Sequence, residues 1–318
     1  MKWKKLGKIF NPVDHSLINN CVEFAQSPQV LVFDEFVRIY FSTRERDKTG
    51  KYLSHIAFVD MDKEFKKVIN LSTKPVIQLG DLGCFDEHGI FPINVVKNQG
   101  RVMAYTTGWN RKVSISADAS IGLAFSDNGG ISFEKFGKGP ILTSSLHEPF
   151  LVGDAFVKVY NEEYHMWYIF GTEWITDPSE DAPQRVYKIA HATSNNGVTW
   201  VKEGKKIISD KLNSHECQAL PTVIDFDNKY HMFFCYRAAI GFRKIKDKAY
   251  RIGYAHSDDL KNWIREDSLA GIDISTEGWD SDMMCYPHVF KCDNNIYLLY
   301  NGNEFGKFGF GLAILEEF

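Results

Sequence analysis

The chain has 318 residues, 44% of them hydrophobic and 25% charged, with a formal net charge of −4. That balance suits a globular protein with a large core and offers no basic stripe for a nucleic acid. Its apolar runs are short and broken by charges, which excludes a membrane-spanning helix.

The opening segment MKWKKLGKIFNP is basic but has no apolar stretch of signal-peptide type, so a cytoplasmic protein is expected. A strand-rich repeat then begins. Its first copy reads SPQVLVFDEFVRIYFSTR and SHIAFVDMDKEF; the second reads FPINVVKNQGRVMAYTTGW and IGLAFSDNGGISF. The third is GDAFVKVYNEEYHMWYIFG with YKIAHATSNNGVTW, and the fourth LPTVIDFDNKYHMFFCYR with YRIGYAHSDDLKNW. The fifth, YPHVFKCDNNIYLLYNGN with GFGLAILEEF, ends the chain. Alternating apolar residues and the turns at DNGG, SNNG and SDD predict four strands per copy. No segment is strongly helical. A four-stranded sheet repeated around an axis is a propeller, so the prediction is an all-β, five-bladed β-propeller forming one domain over residues 1–318.

The fifth copy lacks an outer strand. Trp3-Lys-Lys-Leu-Gly7 has the form of Trp200-Val-Lys-Glu-Gly204 in the third copy, and the spacings Trp3 to Pro28, Trp200 to Pro221 and Trp263 to Pro287 are alike. The N-terminal strand is therefore expected to close the last blade, which removes two exposed edges.

Six cysteines (21, 84, 217, 235, 285 and 292) show no CxxC spacing, so buried free thiols are expected rather than a zinc site or disulfides. No metal or other cofactor is expected. Gly122, Gly253 and Gly311 precede no helix and read as packing glycines rather than phosphate loops. The piece FRKIKDKAYR (242–251) reads as a solvated excursion.

The candidate chemistry lies where each copy begins. Five residues before the Pro of a copy stand Glu23, Glu87, Glu216 and Asp282; in the third copy Asp154 takes the Pro position, with Glu148 six residues before it. For each acid alone, a solvated turn residue or an ion-paired one is as good a reading as a functional one. As a set they suggest crowded carboxylates, the arrangement that keeps one protonated as an acid while another acts as base. Asp86 lies beside this set, and His88, His147 and His215 flank it, suited to binding hydroxyls or phosphate. Arg44, Trp109, Trp174, Arg237, Asn301 and Asn303 follow the second strands and are expected at the same mouth. Aromatic faces stack on sugars, and Arg and Asn bind hydroxyls or carboxylates. Blade packing, turn chemistry and pairing of Arg237 with Glu216 or Asp154 are the competing readings.

These residues resemble the five-bladed glycosidase clan, glycoside hydrolase families 43, 32, 68 and 130. GDAFVKVYNEEYHMWY is similar to the family 43 segment whose Asp tunes the acid's pKa, which implies that role for Asp154. HECQALPTVI is similar to the segment carrying the general acid, which implies Glu216, and Glu216-Cys217 resembles a Glu-Cys pair of family 32. The first-blade Asp-Pro of family 43 is absent, since Ser27 precedes Pro28, and so is the Asn-Asp-Pro-Asn of family 32. The base therefore stays open among Glu23, Asp86, Glu87 and Asp282. Similarity of YFSTRERD and IGLAFSDNGGISF to family 130 implies phosphorolysis as an alternative to hydrolysis. A carbohydrate substrate is expected in either case, and a non-catalytic sugar-binding propeller is the third reading.

Overall fold

Tight turns set the strand lengths. Asn161-Glu162 and Asp227-Asn228 have left-handed backbones at both positions (φ 49°, 65°, 48° and 58°). That is the geometry of two-residue hairpins whose twist matches the flanking strands. The computed structural model describes residues 1–98 and 100–317, and the strands these turns connect form antiparallel meanders.

The first meander contains Gln26–Val32, Val37–Arg46, Tyr52–Met61 and Val68–Leu71, and the second contains Gly89–Asn98, Arg101–Arg111, Ala117–Ser126 and Glu134–Lys135. The third contains Val152–Tyr160, Glu163–Ile175, Gln184–Ser194 and Val201–Lys202, and the fourth Glu216–Phe226, Lys229–Ala238, Arg251–Ser257 and Ile264–Arg265. The last contains Cys285–Cys292, Asn295–Asn301 and Phe310–Glu317, with Lys2–Phe10 antiparallel to Phe310–Glu317. The first two meanders touch through one parallel bridge, Ser54 to Gly89, and so count as a single eight-stranded sheet. The first strand of each meander lies against that of the next, and the last lies against the first.

Buried side chains tie these first strands together. Val157 N–H donates to Asn94 Oδ1 at 2.9 Å, and Asn94 Nδ2 donates to Gln29 Oε1 at 3.1 Å. Val30 N–H donates to His288 Nε2 at 3.2 Å. Asn301 is fully buried in this role. Its Oδ1 accepts from Ser27 N–H at 2.8 Å, while Nδ2 donates to Ala25 and Gly309 carbonyls at 2.8 and 2.7 Å. At the other end of the chain, Trp3 is buried and its Nε1 donates to the Ala270 carbonyl at 3.0 Å.

Every first strand shifts register near its start. The residues at the shift are Ser27, Phe91, Asp154, Leu220 and Tyr286. All but Phe91 are left-handed, with φ of 53°, 53°, 49° and 56°; Phe91 precedes a cis Pro92. The following residue is Pro28, Pro92, Ala155, Pro221 or Pro287, and a residue without N–H suits a place where the ladder is interrupted. The third copy is thereby corrected by one position. Ala155, not Asp154, stands where the others have Pro, and Asp154 occupies the bulge.

All six cysteines are free thiols. Glycines make room for rings: a Cβ on Gly122 would meet Phe85, one on Gly253 would meet Phe234, and one on Gly311 would meet Trp279. Among the described residues no helix is long and apolar enough to cross a membrane.

Candidate functional site

A cavity of about 490 Å³ opens where the first strands converge. Four bulge residues, Phe91, Asp154, Leu220 and Tyr286, reach its wall. A left-handed residue turns its side chain off the alternation of the strand, so the bulge aims it inward rather than into a sheet face. Trp109, Tyr187, Tyr250, Phe242 and Phe305 add aromatic rings to the wall.

Asp154 is the buried carboxyl of this cavity, only 7% exposed. Its N–H donates to Thr107 Oγ1 at 2.7 Å, which holds the bulge in place. One oxygen, Oδ2, accepts from Leu220 N–H at 3.3 Å. Burial pushes the carboxyl up to about 7, against the opposing pull of the Leu220 N–H and the Arg185 charge. Loss of hydration penalises the carboxylate more than those partners stabilise it. The second acid on the wall, Asp118, is half-open to solvent, lies 3.6 Å from Lys112 Nζ and caps Ala119 N–H at 2.9 Å.

Arginines face these acids. Arg44 donates from Nε to Gln26 Oε1 at 2.9 Å and lies over Phe24, 5.1 Å from its centroid. Arg237 is buried against Phe242, 3.5 Å from the ring centroid, and donates to Tyr187 Oη at 2.9 Å and the Ala238 carbonyl at 2.8 Å. Tyr187 Oη in turn lies 2.6 Å from Tyr250 Oη. Arg185 and Arg243 complete the set. Burial, and then the Arg237 and Arg185 charges, lower the Arg243 pKa.

The other sequence-derived acids lie elsewhere. Glu216, expected as general acid, is fully buried outside the cavity wall. It accepts from Arg265 Nη1 at 2.6 Å, Gln218 Nε2 at 3.0 Å, and the N–H groups of Lys211 and Leu212 at 2.9 and 3.0 Å. Arg265 belongs to the outermost strand of the same meander. This pairing recurs. In the second meander Asp86 pairs with Lys135, and in the third Glu148 pairs with Lys202 and Tyr168. In the last, Asp280 pairs with Lys5 at 2.7 Å and accepts from Tyr300 Oη at 3.2 Å. Each acid precedes or opens a first strand, and each cation sits on the fourth. The shared position of these acids is thus a sheet-internal ion pair, and its member in the last meander is Asp280 rather than Asp282.

Asp282 itself is exposed, 4.0 Å from Lys246 Nζ. Glu23 lies 3.9 Å from Lys307 Nζ. Glu87 accepts from Gly83 N–H at 2.9 Å and lies 3.9 Å from His88 Nε2. His147 is exposed, and His215 lies at the surface 3.5 Å from Glu173. Asn303 caps the N–H groups of Asp282 and Met283 at 2.8 and 3.2 Å. His88 stacks on Trp109 with ring centroids 6.0 Å apart. Of the predicted set, the structure brings Arg44, Trp109, Asp154 and Arg237 together on one wall. Trp174 lines a neighbouring chamber of about 290 Å³, which Arg185, Arg237 and Arg243 share with the main cavity.

Sequence reasoning missed Arg185, Tyr187, Phe242, Arg243, Tyr250 and Tyr286. The segment 242–251, read as a solvated excursion, exposes its lysines but buries Phe242 and Tyr250 at 3% and 4%. Its aromatic ends were the available signal. Among the described residues no cluster of His, Cys, Asp and Glu is arranged to hold a metal ion.

No protein-family model matches the chain. Among solved structures it is similar to one described as a glycoside hydrolase, with TM-score 0.74 and 17% identity over 99% of this chain and 92% of that one. It is also similar to one described as a complex of BT0996 and RGII, with TM-score 0.73 and 16% identity over 98% and 91%. A third, from work on the GH130 mannoside phosphorylases and the glycoside hydrolases among them, has TM-score 0.67 and 13% identity over 99% and 93%. The fold is that of the β-propeller glycosidases that the sequence resembles. Two Mycobacterium tuberculosis sequences, Uncharacterized protein Rv1502 of strain H37Rv and Uncharacterized protein MT1551 of strain CDC 1551, are each 31% identical over 323 residues, covering 100% of both chains. Identity at that level over the whole length means that the chain belongs to the family of these two mycobacterial proteins.

Proposed function

We propose that the chain cleaves glycosidic bonds in the central cavity, with Asp154 delivering the proton to the leaving oxygen. The observation that carries this reading is a carboxyl held near pKa 7 in an aromatic cavity. Such a group is protonated often enough to act as an acid at neutral pH and returns to carboxylate after the transfer. The proton donor is thus Asp154 in place of Glu216, whose oxygens are already taken by four partners. In this reading the ring is one domain of five four-stranded blades, closed by Lys2–Phe10. The contact of each first strand with the next supports it.

Hydrolysis needs a second carboxylate across the sugar to activate water or attack the anomeric carbon. Asp118 is the other acid on the wall and takes that part. Phosphorolysis is the second reading, favoured by the arginines: a phosphate dianion is its own nucleophile and needs no protein base. The test is a panel of aryl glycosides and oligosaccharides with and without inorganic phosphate, reading free sugar and sugar phosphate. Cleavage abolished in Asp154→Asn and retained in Glu216→Gln, whichever acceptor is used, is the expected result. Full activity in Asp154→Asn would remove the proposal.

A further inference from the structure

Among the described residues, none hydrogen-bonds or ion-pairs with the Arg185 guanidinium, and Arg237, though 3% exposed, leaves Nε without a partner. Both line the central cavity and the smaller chamber beside it, as does Arg243, which donates to Gln184 Oε1 at 3.3 Å. Among the described residues no carboxylate ion-pairs with this trio. Asp154 is largely held protonated by burial below pH 7, and Asp118 is turned to Lys112. In the chamber, Glu180 accepts Gly241 N–H at 2.7 Å, and Asp181 is exposed at its rim. Three guanidinium groups on one wall repel one another, and an oxyanion at their junction relieves that repulsion with charge-assisted, forked hydrogen bonds.

We propose that Arg185, Arg237 and Arg243 form an oxyanion site at the junction of the two chambers, and that the oxyanion is carried by the sugar itself: the substrate is an acidic glycan, bearing a carboxylate or a phosphate ester. The second chamber argues for a covalently attached anion. It continues past the arginines for about 290 Å³ and has Trp174 and Pro183 in its wall, a surface for another sugar ring rather than the closed pocket a free inorganic anion needs. The inference rests on the reading that the cavity holds a sugar, but not on cleavage.

The experiment is calorimetric titration of the full-length protein and of Asp154→Asn. The ligands are glucuronate, galacturonate and mannuronate, each paired with its neutral hexose, together with hexose 6-phosphates and inorganic phosphate. The expected result is that at least one acidic sugar binds tenfold or more tightly than its neutral partner, in both proteins. That preference should weaken with added salt and disappear in Arg185→Gln and in Arg243→Gln, whose melting temperatures report folding separately. Equal binding within every pair, including no binding by any member, overturns the proposal. So does inorganic phosphate that binds alone as tightly as any acidic sugar. Full cleavage by Asp154→Asn, with the acidic preference kept, would fault the assignment of Asp154 and leave the oxyanion site standing.

Discussion

A set of four acids repeats around this molecule, and a fifth acid, Asp154, differs from it in what surrounds it. Asp86, Glu148, Glu216 and Asp280 each meet a lysine or arginine from the outermost strand of their own meander. Asp154 sits one bulge further in, on a wall where it accepts a single backbone N–H. The four spend their charge inside the protein, while the fifth keeps a carboxyl facing open space. Position in a repeat therefore identifies equivalence but not role. The partner supplied by the fourth strand decides which acid is scaffold, and the bulge decides which one faces the cavity.

The largest expected difference is in catalysis. Asp154→Asn removes the proposed proton donor and should lower kcat by about 10²–10⁴-fold on whatever glycoside the panel identifies. The same screen on Glu216→Gln, corrected for folded fraction, should leave kcat near wild type. In addition, the high-pH limb of kcat/KM should fall with an apparent pKa near 7. A limb unmoved from wild type in Asp154→Asn would assign it to another group.

Stability should reverse this ranking. Glu216→Gln leaves the buried Arg265 with Asp267 at 3.0 Å as its remaining charge partner, and Glu148→Gln strands Lys202. Breaking a buried pair from one side costs about 3–5 kcal/mol, and the Asp267 contact puts Glu216→Gln at the lower end. Urea titration measures it. Replacing both members, Glu216→Gln with Arg265→Met, should recover most of the loss, because no buried charge is then left alone. A double variant as unstable as the sum of its singles would mean that the pair is not the relevant unit.

Asp154 behaves in the opposite sense. Its unfolded carboxyl ionises near 3.8, while the folded one holds its proton to about 7. Between those values the folded state binds more protons, so this group's contribution to stability falls as pH rises through the window and is level above it. The slope is roughly 1.4 kcal/mol per pH unit. Asp154→Asn should flatten that part of the curve and be at least as stable as wild type at pH 8. Paired melts at pH 5 and pH 8 decide it, and an unchanged slope would refute the buried-carboxyl picture.

Much of the fold was legible in the sequence because its signals are local. Asn-Gly and Asp-Asn turns, period-two alternation and the match of Trp3 to Trp200 all lie within short windows. The cavity wall was legible only in part. Asp154, Trp109, Arg44 and Arg237 were found because they sit on repeat positions. Arg185, Arg243 and the tyrosines were missed because nothing local distinguishes them from surface or core residues; only convergence of separate meanders gives them a common cavity. The acid comparison failed for a related reason. Counting from Pro assumed a regular strand, whereas the bulge inserts a residue and shifts what faces inward. Of the acids aligned by counting, Glu148 and Glu216 face Lys202 and Arg265, while Glu87 stands one residue past Asp86, the acid that faces Lys135.

The smallest effect tests whether the N-terminal strand belongs to this scheme as fully as the other outermost strands. Lys5 lies on Lys2–Phe10 and holds the buried Asp280, but its side chain is 24% exposed, against 4% for Arg265. Water can therefore reach the carboxylate once the lysine is gone, and Tyr300 still donates to it. Lys5→Met should cost about 1 kcal/mol, well below Glu216→Gln, because partial solvation replaces part of the lost pairing. The cost should vanish when Asp280→Asn is added, since the neutral amide no longer needs the cation. A loss of roughly 3 kcal/mol or more, the range of a fully buried pair, would mean that the strand carrying Lys5 is held chiefly by this contact. No loss at all would mean that its place is set by Trp3 and the ladder to Phe310–Glu317 alone, leaving the fourth-strand cation a passenger in the last meander and a fastener in the other three.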